Sequence, residues 1–189
     1  MRSIKNITSP INAETIKELT VGTQVLISGV IYVARDAAHR RLAQALAKGE
    51  SLPFELKGQT LYYMGPSPAR PGQIIGAAGP TTSSRMDIYT PQLLSAGIRA
   101  MIGKGSRSPA VREAIKKNKA VYFVTIGGAG ALLARTIKQV EVIAYEDLGA
   151  EAILRLRVED FPAIVANDIY GKDLFEQGRI KYQREGNRG

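Results

Sequence analysis

Along the chain, apolar residues fall into two alternating patterns, short continuous runs and runs spaced by helical turns, and the two separate strands from helices. After the turn signal Ser9-Pro10, Asn12 to Leu19 predicts a short helix capped by Asn12. Gln24 to Val33 is nearly continuous in apolar, β-favouring residues and predicts a strand covered on both faces. Asp36 is expected to cap a helix running to about Lys48, with Leu42 and Leu46 one turn apart and Gly49 ending it.

The pattern then repeats. Gln73 to Ala78 reads as a short strand leading into the turn residues Gly79 to Ser84, and Ile98 to Ile102 as another. Ser108-Pro109 opens a helix with Ala110, Val111, Ala114 and Ile115 on one face, and Lys116, Lys117 and Lys119 suit the negative pole near its end. Ala120 to Ile126 reads as a strand, and Gly127 to Gly130 leads into another helix. Strands at Val140 to Ala144 and Ala152 to Val158 and a short helix near Lys172 to Glu176 complete the set. Strands alternating with helices predict an α/β fold. At 189 residues a single domain is expected, spanning 1–178, followed by a basic polar tail, 179–189, read as a solvated terminus.

Composition removes whole classes of chemistry. There are no cysteines and a single histidine, so this chain offers neither a thiolate nucleophile nor a self-contained transition-metal site. No apolar run is long enough for a membrane span and Met1 to Asn6 lacks a signal-peptide core, so a cytoplasmic location with no membrane partner is expected. The net charge of +9 calls for an anionic partner. Nucleic acid is disfavoured, because there is no Trp, aromatics make up only 6%, and no nucleic-acid-binding motif is present. The Gly127-Gly128-Ala129-Gly130 cluster fits neither nucleotide motif: Leu133 stands where a dinucleotide fingerprint needs glycine, and no Gly-Lys-Ser/Thr follows.

In open α/β sheets ligands collect at the carboxyl ends of strands, beside helix N-termini. Three loops are marked by that rule. One holds Arg35 and Asp36, with His39 a turn into the helix; a second holds Thr81, Thr82 and Arg85; a third holds Lys104 between two glycines. A cation at a helix N-terminus opposes the dipole, a conflict that a bound anion would resolve. Separated cations are what a dicarboxylate needs, Arg binding through two parallel hydrogen bonds and Lys as a point charge. Taken singly, each of these is more often a surface or ion-paired residue, and only their coincidence on three equivalent loops points to a ligand. His39 is either an acid or base near neutral pH or an imidazole tying the loop to its helix, and Thr81 and Thr82 are to first order turn formers.

Gly79-Pro80-Thr81-Thr82-Ser83-Ser84-Arg85-Met86-Asp87 resembles the signature of the β subunit, or C-terminal region, of class I fumarases and the related L(+)-tartrate dehydratases. Arg35-Asp36-Ala37-Ala38-His39-Arg40-Arg41, Tyr62-Tyr63-Met64-Gly65-Pro66, Gly103-Lys104-Gly105 and Val158 to Ala163 match in the same order, so the resemblance spans roughly Ile7 to Gln177. It implies a swivelling β/β/α domain in a hydro-lyase that interconverts fumarate and malate. It also implies a [4Fe-4S] cluster held by three cysteines of the α subunit or N-terminal region, with a hetero-oligomer expected that leaves room for contacts between β subunits. By motif position, Arg35, Arg85 and Lys104 resemble the substrate-carboxylate ligands and Thr81 the residue that takes the C3 proton, with His39, Asp36 and Thr82 in support. Asp87 and the Ile126-Gly127-Gly128 stretch look more like fumarase than tartrate dehydratase. The competing readings are the tartrate enzyme and a non-catalytic module binding an anionic metabolite.

Overall fold

The computed structural model describes residues 4–183. Its centre is a mixed sheet of seven strands with helices on both faces, which bears out the α/β expectation. Strand β1 (Lys5–Ser9) runs parallel to β2 (Gln24–Val33), and β3 (Thr60–Tyr62), β4 (Ala100–Gly103) and β5 (Val121–Val124) follow as parallel neighbours. Strand β6 (Ile137–Ala144) lies antiparallel to the long β7 (Ile153–Asn167). Because β7 bonds antiparallel to both β2 and β5, the strands β2, β3, β4, β5 and β7 close into a ring.

Alternation along the strands splits the core in two. Tyr62, Met64, Ile102 and Phe123 join Ile27, Ile31, Phe161 and Val165 on one face, together with Ile16 of helix α1 (Ala13–Glu18). Leu61, Tyr63, Met101 and Tyr122 face the other way, against α2 (Asp36–Lys48), α3 (Thr90–Ser95) and α4 (Pro109–Lys117). Burial on both faces explains the short apolar runs of β3, β4 and β5, whereas β2, expected to be covered on both faces, alternates buried with partly exposed positions. Helix α5 (Gly130–Thr136) adds Leu133 to the first cluster, and α6 (Leu174–Tyr182) closes the described chain. No helix among the described residues is long and apolar enough to cross a membrane.

Local signals held where caps were explicit. The side chains of Asn12 and Ser108 accept from Thr15 N and Val111 N to start α1 and α4, and Gly49, at φ 68°, ends α2. Three expectations need correction. Gln73 to Ala78 is not a strand: Ser67 Oγ and Ser67 N bond Ala77 N and O at 2.8 and 3.1 Å, so the segment folds back on its own loop, and Ile74 is exposed. The neighbour of β2 at that point is β3, three buried residues too short to stand out in sequence. Asp36 is the first helical residue and not the cap; Arg35 occupies the cap position without a side-chain cap bond, and Glu151 Oε2 accepts from Ala37 N at 2.7 Å instead. Helix α6 runs on to Tyr182, so Arg179 to Tyr182 of the expected tail are helical, and 184–189 fall outside the described residues.

Candidate active site

Parallel strands bring their carboxyl ends to one side, so the segments after β2, β3 and β4 are neighbours. The Thr81–Arg85 segment is sewn onto those ends. Thr81 N donates to Tyr63 O at 2.8 Å, Ser83 N donates to Lys104 O at 3.0 Å, and Lys104 N donates to Ser83 Oγ at 3.1 Å. A bridge between Thr82 and Lys104 extends β4 by one residue. Backbone groups left free where the strands stop are thereby satisfied by the loop, which fixes Thr81 and Thr82 beside Lys104.

The two arginines are joined through consecutive residues. Arg85 makes a two-pronged pair with Asp36, and its remaining Nη1 reaches Thr81 Oγ1 at 3.4 Å. Arg35 directs Nη2 to Glu151 Oε1 at 3.4 Å, while its Nε is buried without a partner. Its guanidinium lies across Gly65, where a Cβ would stand 2.5 Å from Cζ, so the glycine after β3 makes room for it. Lys104 extends over Gly127, whose added Cβ would be 3.6 Å from Lys104 Cδ. Arg35, Arg85 and the Thr81 hydroxyl thus come to the rim at the ends of β2 and β3, and the backbone of Lys104 adjoins it at the end of β4, with its side chain over Gly127.

The expected clash of cations with helix dipoles is corrected in two places. Lys104 precedes α4 by several residues, and Arg85 sits in a single 3-10 turn, Ser83–Met86. At Arg35, where a full helix does begin, Asp36 and Glu151 already supply negative charge.

His39 is wholly buried, with Nδ1 3.1 Å from Arg35 O and its ring edge-on to Tyr63. Burial lowers its pKa from 6.5 to about 4. It is therefore neutral at pH 7 and ties the Arg35 turn to α2, the second of the two readings given to it.

Sequence reasoning missed the layer beneath. Arg107 is buried, pairs with Asp87 through Nε at 2.7 Å, donates to Thr90 Oγ1 at 2.7 Å, and lies over the rings of Tyr63 and Tyr122. Asp87 also accepts from Ser108 N at 2.7 Å. In a basic loop Arg107 resembles any solvated charge, and its partner Asp87 is 20 residues away in sequence. Burial pushes the Tyr122 phenol up from its ordinary pKa, so it stays protonated.

The family model described as "Fumarase C-terminus" matches residues 2–178. The chain is 42% identical over 166 residues to "Fumarate hydratase class I, aerobic" of Salmonella typhimurium, covering 87% of this chain and 29% of that protein. It is 41% identical over 169 residues to "Fumarate hydratase 1, mitochondrial" of Leishmania major, covering 87% and 31%. With "Putative L(+)-tartrate dehydratase subunit beta" of Methanocaldococcus jannaschii it shares 35% identity over 168 residues, covering 86% of each. The chain thus spans about three-tenths of the length of the fumarate hydratases it matches and nearly all of the tartrate dehydratase subunit. With the match running over almost the whole sheet and every loop of the rim, the chain belongs to the fumarase C-terminus family.

Proposed function

We propose that this chain is the β subunit of a class I fumarate hydratase, a hydro-lyase interconverting fumarate and (S)-malate, and that it clamps the substrate at a site shared with a second polypeptide. The reading is carried by one observation: Arg35, Arg85, Lys104 and Thr81 share a single rim, linked by the Asp36–Arg85–Thr81 contacts and the Thr82–Lys104 bridge. In this reading the fold is the swivelling β/β/α type, and the ring of strands is the rigid base from which the clamp projects.

The residues of this chain do not fit an iron-sulfur cluster. The sequence has no cysteine, its one histidine is buried against a backbone carbonyl, and no group of three metal-binding side chains occurs among the described residues. A [4Fe-4S] cluster is accordingly assigned to a cysteine-bearing α subunit.

This chain's own work is electrostatic. Arg35, Arg85 and Lys104 bind the two carboxylates and stabilise the negative charge that develops beside one of them as the C3 proton leaves. Thr81 takes that proton, and the Arg85 guanidinium beside its Oγ1 favours the deprotonated hydroxyl. The covered rim excludes water once the partner closes over it.

Tartrate dehydration is the second reading, supported by the 35% identity to the Methanocaldococcus jannaschii subunit. Co-expression with a cysteine-bearing partner followed by assay on fumarate, malate and L-tartrate decides between them. Hydration of fumarate by the complex and none by the isolated chain is expected; turnover by the metal-free chain alone would refute the shared site. In the complex, Arg85→Ala and Lys104→Ala are each expected to lower kcat/KM by about 10²-fold.

A further inference from the structure

The backbone that presents Lys104 is held by a buried run of hydroxyl groups. Lys104 N donates to Ser83 Oγ at 3.1 Å, Ser83 Oγ lies 2.8 Å from Tyr122 Oη, and Tyr122 Oη lies 2.8 Å from Gly105 O. A phenol has one proton to give. The Gly105 carbonyl can only accept, so the Tyr122 proton belongs there, and Ser83 gives its own proton to the phenol oxygen.

With that assignment every group in the run is satisfied: Lys104 N–H to Ser83, Ser83 to Tyr122, Tyr122 to Gly105 C=O. Hydrogen bonds aligned in this way polarise one another. The run leaves from Lys104 and returns to the next residue, so it brackets the lysine in the chain. Ser83 also belongs to the segment that carries Thr81 and Arg85, and its own N–H donates to Lys104 O. Ser83 and Tyr122 are both fully buried, so neither hydroxyl can meet substrate. Gly103, just before the lysine, has no room for a Cβ because Ser83 Oγ fills that space. The relative place of Lys104 and Thr81 is therefore set by the Ser83–Lys104 backbone bond together with two hydroxyl groups that lie below the rim.

We infer that Ser83 and Tyr122 are positioning residues for turnover, acting through Lys104 by fixing its place relative to Thr81 and Arg85. The inference rests on the reading of Lys104 as a substrate-carboxylate ligand. A small displacement of a positioned charge is costly to a reaction even where the fold survives, so loss of one hydroxyl is expected to lower kcat/KM by about 10- to 100-fold.

A double-mutant cycle in the assembled two-subunit enzyme, assayed by fumarate hydration, tests it. Tyr122→Phe and Ser83→Ala should each show that loss while retaining a cooperative melting transition. On a Lys104→Ala background, Tyr122→Phe should change kcat/KM by less than about 2-fold, since a residue that acts through the lysine has nothing left to act on. Multiplying losses, as expected of a purely structural role, or wild-type kinetics for both single variants would overturn the inference. Wild-type kinetics for Lys104→Ala would instead refute the clamp itself, so the two failures are told apart. If Tyr122→Phe does not fold, Ser83→Ala carries the same cycle.

Discussion

Arg85 and Asp36, 49 residues apart in sequence, meet through two hydrogen bonds, Nε to Oδ1 at 2.9 Å and Nη2 to Oδ2 at 2.7 Å. The pair is half exposed, so its direct contribution to stability is expected to be ~1 kcal/mol or less. Its consequence is orientation. With its Nε and Nη2 held by Asp36, the guanidinium presents Nη1 to Thr81 and to the rim.

Asp36→Ala is therefore expected to separate stability from activity. Loss of the pair and of a carboxylate in the first turn of α2 should cost about 1 kcal/mol. The rate of the assembled enzyme should fall about tenfold or more, because the freed guanidinium no longer starts in its working position. Chemical denaturation and steady-state kinetics on the same preparation check this, and an unchanged kcat/KM would show that Asp36 does not orient Arg85.

The pH dependence of folding should report His39. Its pKa is about 4 in the fold against 6.5 in the free side chain, because burial disfavours the charged ring. As pH falls below 6.5 the unfolded chain takes up a proton that the folded chain refuses until about pH 4. Stability is thus complete above 6.5 and is lost progressively between those values, by roughly 3 kcal/mol in all. Denaturation midpoints across this window should fall steeply in the native chain and less steeply in His39→Gln; equal slopes would place the titration elsewhere.

Much of the rim was legible in sequence, because caps and strand ends are local. Asn12, Ser108 and Gly49 act at single helix ends, and β2 is a ten-residue apolar run, so both could be placed without knowing the fold. Arg35 and Lys104 followed from where β2 and β4 stop, whereas the expectation for Arg85 rested on Gln73 to Ala78, which is not a strand. What could not be read was pairing at a distance. Strand β1 has a polar sequence and exists through its ladder to β2, and β7 continues past Glu159-Asp160 because Asp160 takes φ 53° and its N–H donates to Ser28 Oγ at 3.0 Å. The ion pairs of Arg35 with Glu151 and of Arg107 with Asp87 join residues whose charges look solvated until the chain is folded.

Arg107 gives a stability test of the layer beneath the rim. Arg107→Met leaves Asp87, a mostly buried carboxylate, with Ser108 N–H but without its cation. Breaking one side of a buried pair is expected to cost about 3–5 kcal/mol, whereas Asp87→Asn combined with Arg107→Met should cost less than the sum of the two single changes. Urea denaturation of all three variants measures this. Additive losses would mean that the two side chains stabilise the fold independently.

Two glycines offer a sharper separation, since a methyl group added at each meets a different kind of neighbour. At Gly65 the new Cβ would lie 2.5 Å from Arg35 Cζ and 2.7 Å from Nη1, both at the far end of a flexible side chain. Arg35 can swing aside, so Gly65→Ala should alter stability by less than about 1 kcal/mol while displacing a proposed substrate ligand. At Gly103 the Cβ would collide with Ser83 Oγ and come within 3.0 Å of the Tyr63 ring, and both neighbours are buried. Nothing there can move cheaply, and the strain should cost about 1–3 kcal/mol as well as moving Lys104. Activity is thus expected to fall in both variants, by about tenfold or more, with the denaturation midpoint shifting only in Gly103→Ala. A Gly65→Ala enzyme of normal rate would mean that turnover does not depend on the Arg35 guanidinium over Gly65, and would remove Arg35 from the clamp.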